Sequence, residues 1–64
     1  MMIHTFEEAL IASKYYYQPE TGCYWKEDSH YNVHTYVEQE NNTWSYERYN
    51  QLDKLVTSKV FTLN

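Results

Sequence analysis

The sequence has little of the covalent and conformational chemistry that usually stabilises a small protein: one Cys, one Pro and one Gly among 64 residues. Because Cys23 has no second cysteine, a disulfide within the chain is excluded, and a lone cysteine is typical of a reducing compartment. A chain this short buries a small fraction of its surface, so its stability is marginal without such a staple. We therefore expect one domain, residues 1–64, that depends on close packing or self-association.

Basic residues and long apolar runs are also scarce. Five Lys and Arg against nine Asp and Glu give a formal net charge of −4. The five basic residues are scattered along the chain, which disfavours a basic stripe for phosphate binding. Segment 1–4 shows no basic start followed by an apolar run, and no stretch is long enough to span a bilayer, so we expect a cytoplasmic protein.

Tyrosine, in contrast, is abundant: the chain has eight Tyr but two Trp and two Phe. Six of the tyrosines lie between Lys14 and Gln39. Because a tyrosine combines a large apolar body with a hydroxyl that needs a partner, it suits half-buried positions and interfaces. The aromatic content therefore indicates a binding surface as well as a core.

The first element should be a short helix. Thr5 and Glu8 form a capping box, in which each side chain can bond to the backbone N–H of the other residue. The pattern predicts a helix to about Ser13 that depends on docking for its stability.

Three strand-like runs follow and predict an antiparallel meander. They are Lys14–Gln18, Cys23–Lys26 and Tyr31–Glu38, separated by turn signals at 19–22 and 27–30. The first turn predicts four cross-strand pairs: Tyr15 with Lys26, Tyr16 with Trp25, Tyr17 with Tyr24 and Gln18 with Cys23.

The second turn, placed at 27–30, predicts that Tyr24 lies opposite Val33 and Cys23 opposite His34. Two faces result. The face expected to pack on helices carries Tyr15, Tyr17, Tyr24, Tyr31, Val33, Thr35 and Val37. The face expected in solvent carries Tyr16, Cys23, Trp25, Asn32, His34, Tyr36 and Glu38. A slip of one residue in this turn would exchange the faces of the last strand.

A second, longer helix is predicted from Trp44 to about Ser58. Counted at 100° per residue, an apolar stripe forms from Trp44, Tyr49, Leu52, Leu55, Val56 and Val60. Leu52 and Leu55 are central on it and are expected in the core. Residues 60–63 could add an edge strand or form a tail. The predicted fold class is α+β: a three- or four-stranded antiparallel sheet packed on two helices, in the order α-β-β-β-α(-β).

The sequence gives little support to a catalytic or a metal-binding interpretation. His30 and His34 are four residues apart, but a closed zinc site needs four ligands. Cys23 opposite His34 could form a thiolate nucleophile, yet no oxyanion loop accompanies the pair. We expect no enzyme, no metal and no cofactor. An aromatic sheet face that stacks nucleic-acid bases would also need a basic rim, which this chain lacks.

The expected function is therefore a small acidic protein-binding module, with Tyr16, Trp25, His34 and Tyr36 as its contact residues. By analogy from its size and composition, we expect a phage or mobile-element inhibitor of the anti-CRISPR or anti-restriction type. Its partner would be a host protein, such as a nucleic-acid-binding enzyme or defence nuclease, without direct nucleic-acid or membrane contact. A homodimer without an external target is the main alternative, and a nucleic-acid binder or a Cys/His enzyme is a lesser one.

Overall fold

The computed structural model describes residues 5–63 and contains one helix and five strands. The elements are α1 (Phe6–Ala12), β1 (Tyr16–Gln18), β2 (Cys23–Glu27), β3 (Val33–Glu38), β4 (Thr43–Tyr49) and β5 (Leu55–Thr62). All strand pairings are antiparallel, and the order in the sheet follows the chain, β1-β2-β3-β4-β5. The protein is a meander with a short helix on one side.

This architecture corrects the predicted fold class. The α+β prediction of a sheet packed on two helices is wrong, because the described chain is mostly β and has α1 as its one helix. No helix within residues 5–63 is long and apolar enough to cross a membrane. The expectation that segment 1–4 carries no targeting signal concerns residues outside the described range.

The first helix is confirmed, together with its capping box. The Thr5 hydroxyl accepts from the Glu8 N–H at 3.2 Å, and the Glu8 carboxylate accepts from the Thr5 N–H at 3.0 Å. The helix ends with Ser13 as its C-cap. Lys14 then adopts a positive φ of 74°, which turns the chain from the helix toward β1.

The first hairpin is also confirmed, including its register. Tyr16 pairs with Trp25, Tyr17 with Tyr24 and Gln18 with Cys23. The predicted Tyr15–Lys26 pair is outside the ladder, because β1 begins at Tyr16, but Lys26 Nζ lies 4.8 Å from the centre of the Tyr15 ring. The turn is closed by the Gly22 N–H, which donates to the Gln18 carbonyl at 2.9 Å. Gly22 has a φ of 71°, a conformation that glycine adopts without steric cost.

The second hairpin differs from the prediction by three residues. Tyr24 pairs with Tyr36 instead of Val33, because the loop spans 28–32 and is closed by an Asp28 N–H to Asn32 carbonyl bond of 2.9 Å. Tyr31 takes a positive φ of 66° within this loop. Since the register shift is odd, every side chain of β3 lies on the face opposite to the predicted one.

The predicted helix from Trp44 to Ser58 is wrong, because this segment forms β4, a turn and the start of β5. The turn is built by Asn50, whose side-chain oxygen accepts from the N–H groups of Leu52 and Lys54 at 2.9 and 3.1 Å. Asp53 has a φ of 62°, which a helix does not permit. Residues 60–62 belong to β5, so the edge-strand alternative for the C-terminal segment is the correct one.

The core lies between α1 and one face of the sheet. Leu10 and Trp44 are the buried hydrophobic residues of the described chain, and Trp44 is 1% exposed. The Phe6 ring packs edge-on against Tyr36, Trp44 and Phe61, with centroid distances of 5.4, 4.8 and 5.8 Å. Leu52 and Leu55, the predicted core residues, are instead exposed, Leu52 by 71% in the β4–β5 turn.

Candidate protein-interaction surface

Strand pairing assigns each side chain to one of two faces, because paired residues share a face and neighbours along a strand alternate. We call the face contacted by Phe6 the helix face. It carries Tyr17, Tyr24, Lys26, His34, Tyr36, Glu38, Trp44, Tyr46, Arg48, Thr57, Lys59 and Phe61. The opposite one is the open face. It carries Tyr16, Gln18, Cys23, Trp25, Glu27, Val33, Thr35, Val37, Thr43, Ser45, Glu47, Tyr49, Leu55, Ser58, Val60 and Thr62.

Two of the four predicted contact residues lie together on the open face. Tyr16 and Trp25 are cross-strand partners whose rings lie 5.3 Å apart. Tyr16 is 64% exposed and Trp25 36%. The two rings therefore pack against each other, and their remaining surface is available to a partner.

His34 and Tyr36 lie on the helix face, away from that pair. Tyr36 contacts Phe6 and Tyr46, with ring centroids 5.4 and 4.8 Å apart, and burial raises its pKa. The three-residue shift of the second hairpin moved both residues from the predicted face to the opposite one. The open face consequently receives Val33, Thr35 and Val37 instead.

His34 belongs to a hydrogen-bonded group that the sequence did not reveal. Its Nε2 lies 2.8 Å from Asp28 Oδ2, and its Nδ1 lies 2.7 Å from the Tyr46 hydroxyl. Asp28 also accepts from the N–H groups of His30 and Asn32, at 2.8 and 3.0 Å. Because both ring nitrogens have partners, the group fastens the β2–β3 loop to β4.

The charge on Asp28 should make this fastening sensitive to acid. The His34 hydrogen bond, followed by that from the Asn32 N–H, holds the pKa of Asp28 well below its ordinary value of 3.8. A lowered folded-state pKa stabilises the fold above the ordinary pKa, and this contribution is lost as the pH falls toward the lower value. We predict that Asp28→Asn lowers the urea midpoint at pH 7 and that its deficit shrinks steadily below about pH 4. A deficit that is the same from about pH 7 to about pH 2 would contradict this role.

Cys23 and His34 do not form a catalytic pair. Cys23 lies on the open face opposite Val37, while His34 lies on the helix face opposite Lys26. Burial, followed by the nearby Glu47 carboxylate, raises the pKa of the Cys23 thiol, which disfavours the reactive thiolate. Within residues 5–63, no group of three or more His, Cys, Asp or Glu is placed to hold a metal ion.

The basic residues of the strands lie on one face, and two of the three strand acids lie on the other. The acids of the open face are Glu27 and Glu47, and the strand residues assigned to that face include no Lys or Arg. Lys26, Arg48 and Lys59 all lie on the helix face. The open face is thus both aromatic and acidic, a division that the even distribution of charge along the sequence did not indicate.

The Glu47 carboxylate is held in place on the open face. It accepts a hydrogen bond of 2.6 Å from the Tyr49 hydroxyl, and this bond, together with burial, raises the pKa of Tyr49. A carboxylate fixed in this way presents its charge from a defined position.

Comparisons of the chain with protein-family models, with curated proteins and with solved structures find no match.

Proposed function

We propose that the protein is a non-enzymatic binding module that contacts another protein through the open face. The observation that carries the proposal is the exposed Tyr16–Trp25 pair on a sheet face that α1 leaves uncovered. Exposed aromatic patches commonly mark interaction sites, and Trp and Tyr are frequent among the residues that dominate binding energy. His34 and Tyr36 are left out of this contact because they lie on the other side of the sheet.

The partner that fits this face is a protein with a basic surface. Glu27 and Glu47 give the open face negative charge without a compensating Lys or Arg on its strands. Complementary charge steers association and sets specificity. The same charge repels a nucleic-acid backbone. The open face is therefore better suited to bind a nucleic-acid-binding protein than to bind nucleic acid directly.

Inhibition is the activity that such a contact would produce. A nucleic-acid-handling enzyme presents a basic groove to its substrate, and an acidic aromatic face seated on that groove excludes the substrate. The finer proposal is therefore an inhibitor of a host enzyme or defence nuclease, of the anti-CRISPR or anti-restriction type. Its support is the chemistry of the open face, together with the small size and net negative charge of the chain.

Trp25 should dominate the contact, because it lies on β2 between Tyr16 and Thr35. We predict that Trp25→Ala weakens partner binding by about 2 kcal/mol or more. Its effect on the free energy of unfolding should be smaller, since the residue is outside the buried core. Capture from a bacterial lysate followed by titration of the captured protein measures the loss, and Leu52→Ala, an exposed apolar residue in a turn, is the control.

Charge dependence provides the second part of this experiment. Glu27→Gln should weaken the same interaction, and added salt should weaken binding of the wild type more than that of the variant. If the Trp25→Ala and Glu27→Gln variants both bind a captured protein as strongly as the wild type does, that protein is not bound by the open face. If every captured protein behaves in this way, the proposed function is wrong.

Single-stranded nucleic acid is a second candidate, and it would bind the opposite side of the sheet. Lys26 and Arg48 share the helix face with Tyr46, and cations beside rings are what base-stacking platforms use. This candidate ranks second because both cations already have partners: Lys26 donates to the Ser13 carbonyl at 3.0 Å, and Arg48 to the Thr57 hydroxyl at 3.1 Å. Titration with a labelled single-stranded oligonucleotide at low salt decides between the two, since the preferred function predicts no binding.

A further inference from the structure

We propose that β5 is a dimerisation strand, whose outer edge pairs antiparallel with β5 of a second copy about a two-fold axis at Val60. The proposal does not rest on the proposed function, because it uses the backbone edge of β5 and not the Tyr16–Trp25 pair. β5 is the last strand in the sheet order, so its outer edge has no strand neighbour within residues 5–63. An unpaired edge presents backbone donors and acceptors whose natural complement is another strand.

Hydrogen bonding at the end of β5 determines which backbone groups point outward. The Leu63 N–H donates to the Asn42 carbonyl of the preceding loop at 2.8 Å. In an antiparallel ladder, alternate residues of a strand bond to the same neighbour, so the odd-numbered residues of this segment bond toward β4. The N–H and C=O groups of Ser58, Val60 and Thr62 therefore point away from the sheet.

This polarity restricts the register in which two copies can pair. Even-numbered residues must lie opposite even-numbered ones, and the ladder must begin after Val56, the extra residue of a bulge in the β4–β5 pairing. An axis at Ser58 would need Val56 in the ladder, and an axis at Lys59 would place two ammonium groups opposite each other. An axis at Val60 avoids both and places Ser58 opposite Thr62.

The side chain at the axis also favours a second copy as the occupant. Val60 is 70% exposed on the monomer and would cover its own counterpart in the dimer. The other edge of the sheet, β1, has three residues and offers a much shorter ladder. A contact along one strand is smaller than a standard protein–protein interface, so the dimer should depend on concentration.

Cysteine cross-linking tests the register directly. In a Cys23→Ser background, Val60→Cys places the two new thiols on residues whose Cα atoms are about 5.5 Å apart, within disulfide range. Ser58→Cys is the matched control on the same strand and face, and its two copies would be about 13 Å apart along the strand. We expect mild oxidation with diamide to convert Val60→Cys to a covalent dimer at least about ten times more completely than Ser58→Cys. Equal cross-linking, or a preference for Ser58→Cys, overturns the proposal.

A backbone substitution tests the pairing without a cross-link. Val60→Pro removes an outward N–H that is unpaired in the monomer, and proline is tolerated at such edge positions. Sedimentation velocity should show a wild-type dimer appearing between about 10 μM and about 1 mM, and Val60→Pro should remain monomeric with an unchanged circular dichroism spectrum. A wild-type chain that stays monomeric over this range overturns the proposal, as does a Val60→Pro variant that is folded and still dimeric.

Discussion

Replacing Trp44 with alanine is expected to unfold most of the protein. Trp44 is the largest fully buried side chain in the described residues, and its ring contacts Phe6 and Tyr24 at centroid distances of 4.8 and 5.9 Å. Truncating a buried tryptophan costs about 3 to 5 kcal/mol. A domain of this length has a stability of about 3 to 10 kcal/mol, so the loss is comparable with the whole free energy of folding.

Urea denaturation followed by far-ultraviolet circular dichroism measures this effect. Trp25→Ala is the matched control, since it removes the same type of side chain from the open face of β2. We expect the unfolding curve of Trp44→Ala to lack a native baseline, because much of the variant is unfolded without urea. The midpoint of Trp25→Ala should be close to that of the wild type. The reverse order of midpoints would mean that the two faces of the sheet are exchanged.

The second large effect is expected for Leu10→Ala. Leu10 is the buried residue of α1, and it lies one turn after Phe6 on the same side of the helix. Its truncation should cost about 2 to 5 kcal/mol, because a helix of seven residues depends on docking rather than on its intrinsic propensity. Ile11→Ala is the neighbouring control, since Ile11 is exposed.

Equilibrium unfolding of both helix variants decides the result. The expected outcome is a large fall in the urea midpoint for Leu10→Ala and little change for Ile11→Ala. Wild-type midpoints for both variants would contradict the claim that α1 stabilises the sheet by docking through Leu10.

The parts of the fold that local chemistry determines could be predicted from the sequence. The Thr5–Glu8 capping box requires residues three apart, and the first hairpin is closed within a turn that contains Pro19 and Gly22. Both depend on contacts between near neighbours in the chain. The predictions made from them are confirmed.

The fold of the C-terminal half could not be predicted from the pattern of apolar residues alone. Trp44 and Tyr46 alternate with Ser45 and Glu47, which fits a strand, while a wider set of residues also fits a 100° period. The side chain of Asn50 favours the two strands over the helix, because its oxygen accepts two backbone hydrogen bonds that form a turn in the middle of the predicted helix. Leu52 consequently lies in that turn, exposed, instead of in the core.

The candidate site was predicted in part for a similar reason. Tyr16 and Trp25 depend on the first hairpin, so their pairing could be deduced from the sequence. The positions of His34 and Tyr36 depend on the second loop, whose length is set by the bonds of Asp28 to Asn32. Asp28 and Asn32, four residues apart and both good turn formers, are the sequence signal that would have placed this loop correctly.

Two adjacent tyrosines on opposite faces of β1 allow a direct test of which face binds the partner. Tyr16 and Tyr17 are both exposed, and each packs on a β2 ring, Trp25 at 5.3 Å and Tyr24 at 4.6 Å. The measurement is the affinity of Tyr16→Ala and of Tyr17→Ala for the partner captured by the wild type. We predict a loss of about tenfold or more for Tyr16→Ala and less than about twofold for Tyr17→Ala. Equal losses, or a larger loss for Tyr17→Ala, would contradict the claim that the open face is the binding surface.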